Sequence, residues 1–521
     1  MAWEKGIEEL GRRRALAEAQ GGAINVGRQH RAGRLTVRER IEQLIDPGSF
    51  QEIGKTTGAG EYSESGELLG LTPAPYVAGL AKVDGRSIVV GGEDFTVRGG
   101  TTASLDRRKG GQGGVSEDLA HEYRIPLVNL IDGSGGSVTS SKRRGHAVFP
   151  GVDSFDRSVD LMGEVPVVGA VLGSAAGGPA GRAILSHFSV MVKDTSQVFA
   201  AGPAVVKRSL GQDVTKEELG GPAVAVEQGG AIDNVAENEL ECLEMVRRFL
   251  SFMPQNVWEL PPRTASSDRI DRCEDALRDI IPEERRRPYD MRKLINLIFD
   301  EGSVFEIQPR FGKGLVTCLA RLDGYTVGIV ANNPMVYGGA MDVGESLKQC
   351  HFVELCDTFH IPLVFLVDVP GFMVGLQAES RGVLRAGMRA VYVASQATVP
   401  VITLVVRKCY GMAGMATCQQ RGVNLKLAWP SAEWGSLPVE GGVAVAYRRE
   451  IEAADDPRAK EAELEEELRI FASPFRTAEA FGVEDIIDPR ETRPYLIRYI
   501  EAMQGKLAST LGQKARLGVR P

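Results

Sequence analysis

The 521-residue sequence lacks the features of several protein classes. Its seven cysteines include no CxxC pair, so neither a disulfide framework nor a four-cysteine zinc site is predicted. No apolar run of about 18 residues occurs, since even LVFLVDVPGFMVGL is interrupted by Asp368 and Pro370. Acidic residues (69) outnumber lysine and arginine (61), which argues against nonspecific nucleic-acid binding. We therefore expect a cytoplasmic protein without membrane or nucleic-acid partners.

The sequence also lacks the common motifs of nucleophilic, metal-dependent and nucleotide-dependent catalysis. It contains no GxSxG, HExxH, Walker A or GxGxxG pattern. Its six histidines have no spacing that indicates a catalytic base or a set of metal ligands. We therefore predict no metal site and no side-chain nucleophile of a recognised type.

One stretch of the chain occurs twice. IPLVFLVDVPG (361–371) repeats IPLVNLIDGSG (125–135) at a spacing of 236 residues. Two more pairs match, LAKVDGRSIVV from Leu80 with LARLDGYTVGIV from Leu319, and VPVVGAVLG from Val165 with VPVITLVVR from Val399. Repeats of about 20 to 50 residues indicate solenoids, whereas a period near that of a whole domain indicates duplication. We predict two similar domains in tandem.

Each half alternates short apolar runs with longer helical windows. YVAGLAKV, SIVVGG, IPLVNLID and VPVVGAVLG have the length of strands and are followed by glycine-rich turns. This alternation is typical of βαβ crossovers, so the predicted fold class is α/β with parallel sheets. Residues 1–46 have helical periodicity. A Pro- and Ser-containing break, WELPPRTASSDRID (258–271), separates the predicted domains, 1–262 and 272–513.

Glycine-rich turns follow strands at equivalent places in both halves. They are GSAAGGPAG (173–181) with DGSGGS (132–137), and YGMAGMA (410–416) with DVPGFMVG (368–375). A helix starting at such a turn presents unpaired N–H groups at the carboxyl edge of the sheet. Donors of this kind can stabilise an oxyanion by about 3 to 4 kcal/mol each. The alternative is structural, because such turns need glycine for packing alone.

A compact basic cluster, Arg107, Arg108 and Lys109, lies in the glycine-rich stretch RGGTTASLDRRKGGQGG. Closely spaced cationic side chains are suited to the phosphates of a nucleotide-like ligand. The alternative interpretation is a solvated loop without a ligand.

Several stretches resemble the carboxyltransferase subunit of biotin-dependent acyl-CoA carboxylases of the propionyl-CoA or methylcrotonoyl-CoA type. They are ANNPMVYGGAMD (331–342), KQCHFVELCDTFHIPLVFLVDVPGFMVG (348–375), IIDPRETRPYLIR (486–498), QHRAGRLTVRERIEQLIDPGSFQEI (29–53) and FSVMVKDTSQVFAAGP (188–203). The resemblance spans nearly the whole chain. It implies two crotonase-like domains, the N-terminal one binding acyl-CoA and the C-terminal one carboxybiotin. It also implies active sites across a dimer interface within a hexamer of three dimers.

The mechanism implied by this resemblance needs no side-chain base. Carboxybiotin releases CO2, the biotin ureido anion takes the substrate α-proton, and the thioester enolate attacks CO2. By position, Gly177 and Gly178 would donate to the thioester oxygen, and Met412 and Ala413 to the ureido oxygen. The other residues carried over are Gly371, Phe372, Gly411 and Gly414 for biotin, Arg107, Arg108 and Lys109 for CoA, and Gly135, Gly136 and Met415 for the substrate pocket.

The sequence departs from the family pattern in places that concern the substrate. Acetyl- and propionyl-type members usually have GGAYD where this chain has GMAGM, so that Met415 replaces an aspartate. Ala225 stands where members commonly have histidine after ELGG. The stretch around Arg107 is more similar to the methylcrotonoyl or geranyl type. The resemblance therefore leaves the acyl group open.

Neither an MKM biotinylation sequence nor a segment like a biotin carboxylase occurs. A biotin carboxylase and a biotin carboxyl carrier subunit are therefore expected on separate chains. Two alternatives remain, a decarboxylating relative that transfers the carboxyl group to biotin and a non-catalytic scaffold. A biotin-free crotonase is disfavoured, since such enzymes need one domain and usually a placed glutamate.

Overall fold

The Pro- and Ser-containing break divides the chain into two units in the computed structural model, which describes residues 3–101, 108–135, 142, 145–146, 155–417 and 425–515. The first unit comprises the residues up to Glu259 and those from Gly512 onward, and the second comprises Leu260–Leu511. The division between the units lies between Glu259 and Leu260. Gly512 N donates to the carbonyl of Val257 at 2.8 Å within the first unit. The domain limits 1–262 and 272–513 stay a prediction.

The first unit is built on one large mixed sheet and two small sheets. Its strands are β1 (Gln51–Glu52), β2 (Gly58–Tyr62), β3 (Leu68–Pro73), β4 (Tyr76–Val83), β5 (Arg86–Glu93), β6 (Leu127–Ile131), β7 (Val167–Val171), β8 (Ser174–Ala176), β9 (Phe188–Val192), β10 (Gln197–Phe199) and β11 (Asn234–Ala236). The large sheet has the order β1-β4-β5-β6-β7-β9-β11, while β2 pairs with β3 and β8 with β10. Its helices are Glu4–Glu18, Ala23–Arg31, Val37–Leu44, Val115–Tyr123, Asp156–Leu161, Gly178–Ile184, Pro203–Leu210, Lys216–Gly220 and Glu239–Phe252.

The second unit has a sheet of the same kind. Its strands are β12 (Phe305–Ile307), β13 (Leu315–Leu322), β14 (Tyr325–Asn332), β15 (Leu363–Val369), β16 (Val401–Tyr410), β17 (Leu425–Ala428), β18 (Glu433–Gly435) and β19 (Asp485–Ile486). The order is β12-β13-β14-β15-β16-β17-β19, with β18 paired to β16. Its helices are Met291–Ile298, Val343–Thr358, Leu376–Ser380, Val383–Gln396, Gly411–Met415, Val439–Ala446, Arg448–Ala453, Pro457–Arg469, Pro474–Glu479 and Thr492–Ala508.

The α/β prediction is confirmed, but the predicted parallel sheets are mixed. Strands β5 to β7 with β9 and β11 are parallel, as are β14 to β17 with β19, whereas the first three strands of each sheet are antiparallel. The cause is a two-residue turn, Asp84-Gly85 in one unit and Asp323-Gly324 in the other, with all four residues at positive φ. Asp-Gly is favoured in type I′ hairpins. The dipeptide in the sequence therefore indicates the antiparallel pairing of β4 with β5 and of β13 with β14.

Helices cover the central strands and account for their continuous apolar sequences. All residues of β6, β7 and β15 are buried. Phe249, on the helix Glu239–Phe252, stacks on Phe188 of β9 with ring centroids 4.9 Å apart. In the second unit, the buried Trp429 donates its indole N–H to Thr492 Oγ1 at 2.9 Å. Each such side chain contributes about 1.5 to 3 kcal/mol through burial.

Arg493 provides a stability test of the second unit. It is 1% exposed and donates to Asp300 Oδ1 at 2.7 Å and to the carbonyls of Arg269 and Ile298. Arg493→Met would leave the Asp300 carboxylate without its countercharge. We expect the free energy of unfolding to fall by about 3 to 5 kcal/mol, measured by urea denaturation followed by circular dichroism.

Arg247→Met is the matched control for this substitution. Arg247 is partly exposed and donates to the carbonyls of Gln43 and Ile45 in the first unit at 3.3 and 3.4 Å. Its loss should cost less than about 1 kcal/mol, since water can replace the guanidinium. Equal losses in the two variants would contradict a special role for the Arg493–Asp300 pair.

Candidate active site

The loop after β7 joins a glycine hinge to the start of a helix. β8 pairs with β10 in parallel, and the helix Gly178–Ile184 begins two residues after β8 ends. The hinge residue, Gly177, has φ 61° and ψ −123°. Residues with a Cβ rarely adopt this conformation, so the hinge requires glycine. Pro179 suits the first turn, where its missing N–H costs no intrahelical bond.

The predicted donors Gly177 and Gly178 have free backbone amides. Neither nitrogen has a hydrogen-bond acceptor among the residues that the structure describes. The first bond of the following helix runs from Gly181 N to the carbonyl of Gly177 at 2.8 Å. The predicted pocket residue Gly135 lies against this loop, since a Cβ there would be 2.9 Å from the carbonyl oxygen of Ala176. Gly136 lies outside the described residues.

A cavity of about 150 Å³ lies beside Gly178. It is lined by glycine backbone and by the polar side chains of Glu93, Gln112, Ser134 and Arg182. Sequence reasoning did not select Glu93, Gln112 or Arg182. The sequence did contain one indication of this cavity, the stretch GGQGG (110–114). Adjacent glycines occur where the backbone must approach another group closely.

A buried ion pair lines the same cavity. Arg182 donates to the carboxylate of Glu93 and, through Nη1, to Asn129 Oδ1 at 3.0 Å. Burial raises the pKa of Glu93, and the guanidinium of Arg182 opposes this rise. Gly111 allows the guanidinium to lie on the backbone, since a Cβ at that position would be 2.2 Å from Arg182 Nη1. The glycine at 111 is therefore needed to accommodate the ion pair.

The predicted donors of the second unit follow β16, which occupies the place of β7. The helix Gly411–Met415 begins directly after this strand, with its first residue at φ 59°. In the described part of the chain, no acceptor meets the backbone amides of Met412 and Ala413. Ala413 is buried, whereas the side chains of Met412 and Met415 are about half exposed. Both units thus present a pair of free amides after equivalent strands.

The turn that carries the second pair of amides is anchored from two sides. Gln349 Nε2 donates to the carbonyl of Ala416 at 2.7 Å, and Thr417 Oγ1 donates to the carbonyl of Gly414 at 2.6 Å. A Cβ on Gly414 would lie 2.9 Å from Cys409 Sγ. Gly414 therefore lets the short helix close on the end of β16.

The predicted biotin residues Gly371 and Phe372 follow β15. The carbonyl of Gly371 accepts from Met341 N at 3.1 Å. The ring of Phe372 packs on Gly387, where a Cβ would lie 2.5 Å from the ring. Gly387 was not identified from the sequence, because its requirement arises only when the helix Val383–Gln396 meets this loop.

The structure separates the members of the predicted phosphate-binding cluster. Arg107 lies outside the described residues, Arg108 is exposed and Lys109 is buried. Lys109 Nζ donates to the carbonyl of Ile53, directly after β1, and burial lowers the pKa of Lys109 to about 8. Its ammonium group therefore contacts backbone, and Arg108 is the described member of the cluster that an anionic ligand could reach.

Lys348 has the same arrangement in the second unit. Its Nζ donates to the carbonyls of Gln308, Phe311 and Leu315 at 2.7, 3.1 and 2.7 Å. Gln308 directly follows β12, as Ile53 follows β1. Burial lowers the pKa of Lys348 to about 8. Lys109 precedes the helix Val115–Tyr123, and Lys348 lies in the helix Val343–Thr358. Each lysine thus binds the chain segment of its helix to the residue that follows an edge strand of the large sheet, β1 or β12.

Within the described ranges, no three side chains of His, Cys, Asp or Glu are grouped so that they could hold a metal ion. No helix in the same ranges is long and apolar enough to cross a bilayer.

Comparison with known proteins gives a family match along most of the chain. Residues 28–517 match the family model described as carboxyl transferase domain. The propionyl-CoA carboxylase carboxyltransferase subunit of Haloferax mediterranei is 37% identical over 519 residues, which cover 99% of both chains. The methylmalonyl-CoA decarboxylase subunit alpha of Propionigenium modestum is 34% identical over 96% of both chains.

A solved structure is similar over both units. The transcarboxylase 12S crystal structure, described as a hexamer assembly with methylmalonyl-coenzyme A and methylmalonic acid bound, is 35% identical to this chain. The match has a TM-score of 0.87 and covers 98% of this chain and 96% of the other.

The buried ammonium of Lys348 predicts a pH-dependent contribution to stability. Its pKa of about 8 in the folded chain lies below the ordinary 10.5, so the folded state releases this proton more readily than the unfolded state. The charged form therefore opposes folding below pH 8, and this cost disappears as pH rises to about 10.5. We expect the free energy of unfolding of the wild type, minus that of Lys348→Met, to increase by up to about 3 kcal/mol over this range.

Urea denaturation of both proteins at several pH values measures this difference. Subtracting the variant removes the contributions of all other titrating groups that the two proteins share. A difference that is constant, or that decreases with pH, would contradict the predicted titration of Lys348.

Proposed function

The chain belongs to the carboxyl transferase domain family, and we propose that it is the carboxyltransferase subunit of a biotin-dependent acyl-CoA carboxylase. The observation that carries this proposal is the presence of two pairs of free backbone amides, Gly177 with Gly178 and Met412 with Ala413. Two donor pairs suit a reaction in which a thioester oxygen and a ureido oxygen both become anionic.

The proposal includes two crotonase-like domains related by duplication. Their sheets share the order of the matched strands, and their hydrogen bonds agree in detail. An ion pair between a helix and the first strand of the large sheet, Arg38–Glu52 (2.9 Å), recurs as Arg292–Glu306 (2.6 Å). Asp46 accepts from both amides of its Asp-Gly turn, as Asp300 does in the second unit. Agreement of individual partners supports common descent more strongly than a shared strand order.

The first unit would bind the acyl-CoA thioester. Gly177 and Gly178 would donate to the thioester oxygen, which becomes anionic when the α-carbon loses its proton. These donors are held by a helix start and need no rearrangement, which is the condition for strong stabilisation. Gly135 and Gly136 would border the acyl group. Arg108 would meet the phosphates of CoA.

The second unit would hold the ureido group of biotin. The amides of Met412 and Ala413 are free, and neither Gly411 nor Gly414 has a side chain that would block a planar ring. Gly371 would line the approach together with Phe372, and Met415 would border the acyl group. Carboxybiotin, when bound, would supply the carboxyl group and the base for the α-proton. The chain itself would hold and orient the two oxygens, which agrees with the absence of a recognised nucleophile motif.

The partners follow from this proposal. A biotin carboxylase and a biotin carboxyl carrier subunit would be separate chains. Val374 and Leu376, directly after the PGF stretch, are 85% and 88% exposed. Exposed apolar side chains at a ligand approach are typical of protein interfaces, which supports an assembly that covers this surface. A hexamer of three dimers with shared active sites stays a prediction, as does a cytoplasmic location.

Decarboxylation is the second candidate function. It is favoured by the 34% identity to a decarboxylase subunit alpha over nearly the whole chain. The same amide pairs would serve this direction, because the enolate is common to the forward and reverse reactions. A non-catalytic scaffold would have no need for either pair of free amides.

Carboxyl transfer in reverse tests the proposed function directly. We expect the purified protein to transfer the carboxyl group of a carboxylated acyl-CoA to free biotin, followed as release of the uncarboxylated thioester. The panel contains malonyl-, methylmalonyl-, longer 2-carboxyacyl- and methylglutaconyl-CoA. No transfer from any of them, with CoA binding intact, would instead support the scaffold.

Gly178→Val tests the first amide pair. The backbone of Gly178 is not in the left-handed region, so a side chain is sterically compatible with the local backbone conformation. A Cβ there would lie 2.2 Å from Gln112 Oε1 and would crowd the space beside the amides. We expect turnover to fall at least about 100-fold, with the mass of the assembly unchanged in light scattering.

Gly441→Val is the matched control, since a Cβ at Gly441 meets no atom within 4 Å. It should retain turnover. Loss of assembly in Gly178→Val would identify its loop as structural, and normal turnover would remove the amide of Gly178 from the mechanism.

A further inference from the structure

The side chain of Lys408, near the end of β16, connects three strands of the second sheet. Its Nζ donates to the carbonyl of Gly338, in the turn that follows β14, at 3.0 Å. The same atom lies 3.5 Å from Oδ1 of Asp368, near the end of β15. An ammonium group has three N–H donors and can therefore hold several groups at once. Lys408 thus joins the carboxyl ends of β14, β15 and β16, the edge at which the free amides of this unit begin.

The corresponding turn of the first unit is held in a different way. The turns after β5 and β14 have the same conformation, since their glycines, Gly99 and Gly338, both have φ 63°. The carbonyl of Gly99 accepts from the backbone N and Oγ of Ser134, in the connection after β6, at 3.3 and 3.1 Å. The carbonyl of Gly338 accepts from Lys408. The second unit therefore ties this turn to the strand that leads to its free amides.

The turn after β14 leads directly to the predicted biotin residues. Met341, three residues after Gly338, forms an isolated bridge with Phe372. Its backbone N donates to the carbonyl of Gly371 at 3.1 Å, and its carbonyl accepts from Met373 N at 2.8 Å. A displacement of the turn would therefore displace the loop that follows β15.

The loop after β15 has a second support, the helix Val383–Gln396. The ring of Phe372 packs on Gly387 of this helix. The helix also contacts the short helix Gly411–Met415, which carries the two free amides. Lys408 holds the loop from one side, and the helix Val383–Gln396 holds it from the other. Both supports lead back to the end of β16, so the contacts form a closed circuit that includes the loop and the amides.

We propose that Lys408 is a positioning residue for biotin, which holds the loop after β15 in a fixed place relative to the free amides after β16. This inference rests on the proposed function, because it assumes that these two segments hold the ureido group. Lys408 acts through the turn at Gly338, and the donors to the ureido oxygen remain backbone amides. Positioning of this kind affects rate strongly, since a displacement of about 1 Å can cost about 100-fold.

Lys408→Met tests this role while the core of the unit stays paired. Asp368 keeps its ion pair with Arg407, whose Nη2 lies 2.9 Å from Oδ2, so this buried carboxylate retains a countercharge. We expect amide hydrogen exchange in the segments containing Met341 and Met373, followed by mass spectrometry, to become at least about tenfold faster, because the turn loses its support. The amides of β14 should exchange as in the wild type. Unchanged exchange at both methionines, or faster exchange throughout the sheet, would overturn the inference.

Lys426→Met is the matched control. Lys426 lies on the neighbouring strand β17, is partly exposed, and has its Nζ 3.9 Å from Glu484. It should leave the exchange rates unchanged. In the reverse transfer to free biotin, we expect Lys408→Met to lower kcat/KM for biotin at least about tenfold, with the dissociation constant of CoA unchanged in isothermal titration. An equal loss of CoA affinity would show a general structural effect and would contradict a role specific to biotin.

Gly387→Ala disturbs the same loop at its other support. A Cβ there would lie 2.5 Å from the ring of Phe372, while alanine itself is favourable in a helix. If both residues act on one loop, the loss of kcat/KM in the double variant should be at least about threefold smaller than the product of the single losses. Losses that multiply would contradict the action of Lys408 through this loop. Absence of transfer in the wild type would contradict the proposed function, whereas the exchange measurement tests the support by Lys408 independently of turnover.

Discussion

The buried carboxylate of Asp132, at the end of β6, is the constraint on which the first unit depends. Asp132 is fully buried and accepts from Arg40 Nη1 at 3.0 Å. The same guanidinium pairs with Glu239 at 2.7 Å and donates to the carbonyl of Leu172 at 2.9 Å. Removing one partner of such a network leaves an uncompensated charge at a cost of about 3 to 5 kcal/mol. One side chain thus fixes two helices and the end of β7 to the carboxyl edge of the sheet.

The position of the free amides follows from this fixed edge. Gly173, next to Leu172, has no room for a side chain, because a Cβ there would lie 1.9 Å from Asp132 Oδ1. Further along, Ala176 N donates to the carbonyl of Gly133 at 3.3 Å. The loop that ends at Gly177 is therefore held at both ends by residues adjoining the buried carboxylate. Donors that are held in place before the substrate binds stabilise charge without a cost of reorganisation.

Local signals predicted most of the fold, and the glycine-rich turns after strands predicted the candidate donors, whose role stays a prediction. The repeated stretches predicted two matched sheets, and the Asp-Gly dipeptides contained the information on the hairpins. The polar lining of the cavity was not predictable in this way, because Arg182 and Glu93 are separated by 89 residues and meet only through strand order. The partner of Asp132 was not predictable either. Asp132 pairs with Arg40 from a helix, whereas Asp368, the equivalent carboxylate of the second unit, pairs with Arg407 from β16. A repeat in sequence indicates which charge is buried, while its partner depends on packing.

The two units differ where a small ligand would need space. The first unit has a short helix, a glycine turn and a polar cavity next to its free amides. The second unit has a helix of 16 residues whose side chains include the buried Cys350 and Val353, and the exposed Val374 and Leu376 follow β15. A cavity suits a ligand that arrives free in solution. An exposed apolar edge suits a ligand that a partner protein delivers, because that protein can cover the edge while its cofactor reaches the amides. Two similar sheets that differ at their carboxyl edges would therefore be sufficient for the two unlike ligands of the proposed reaction.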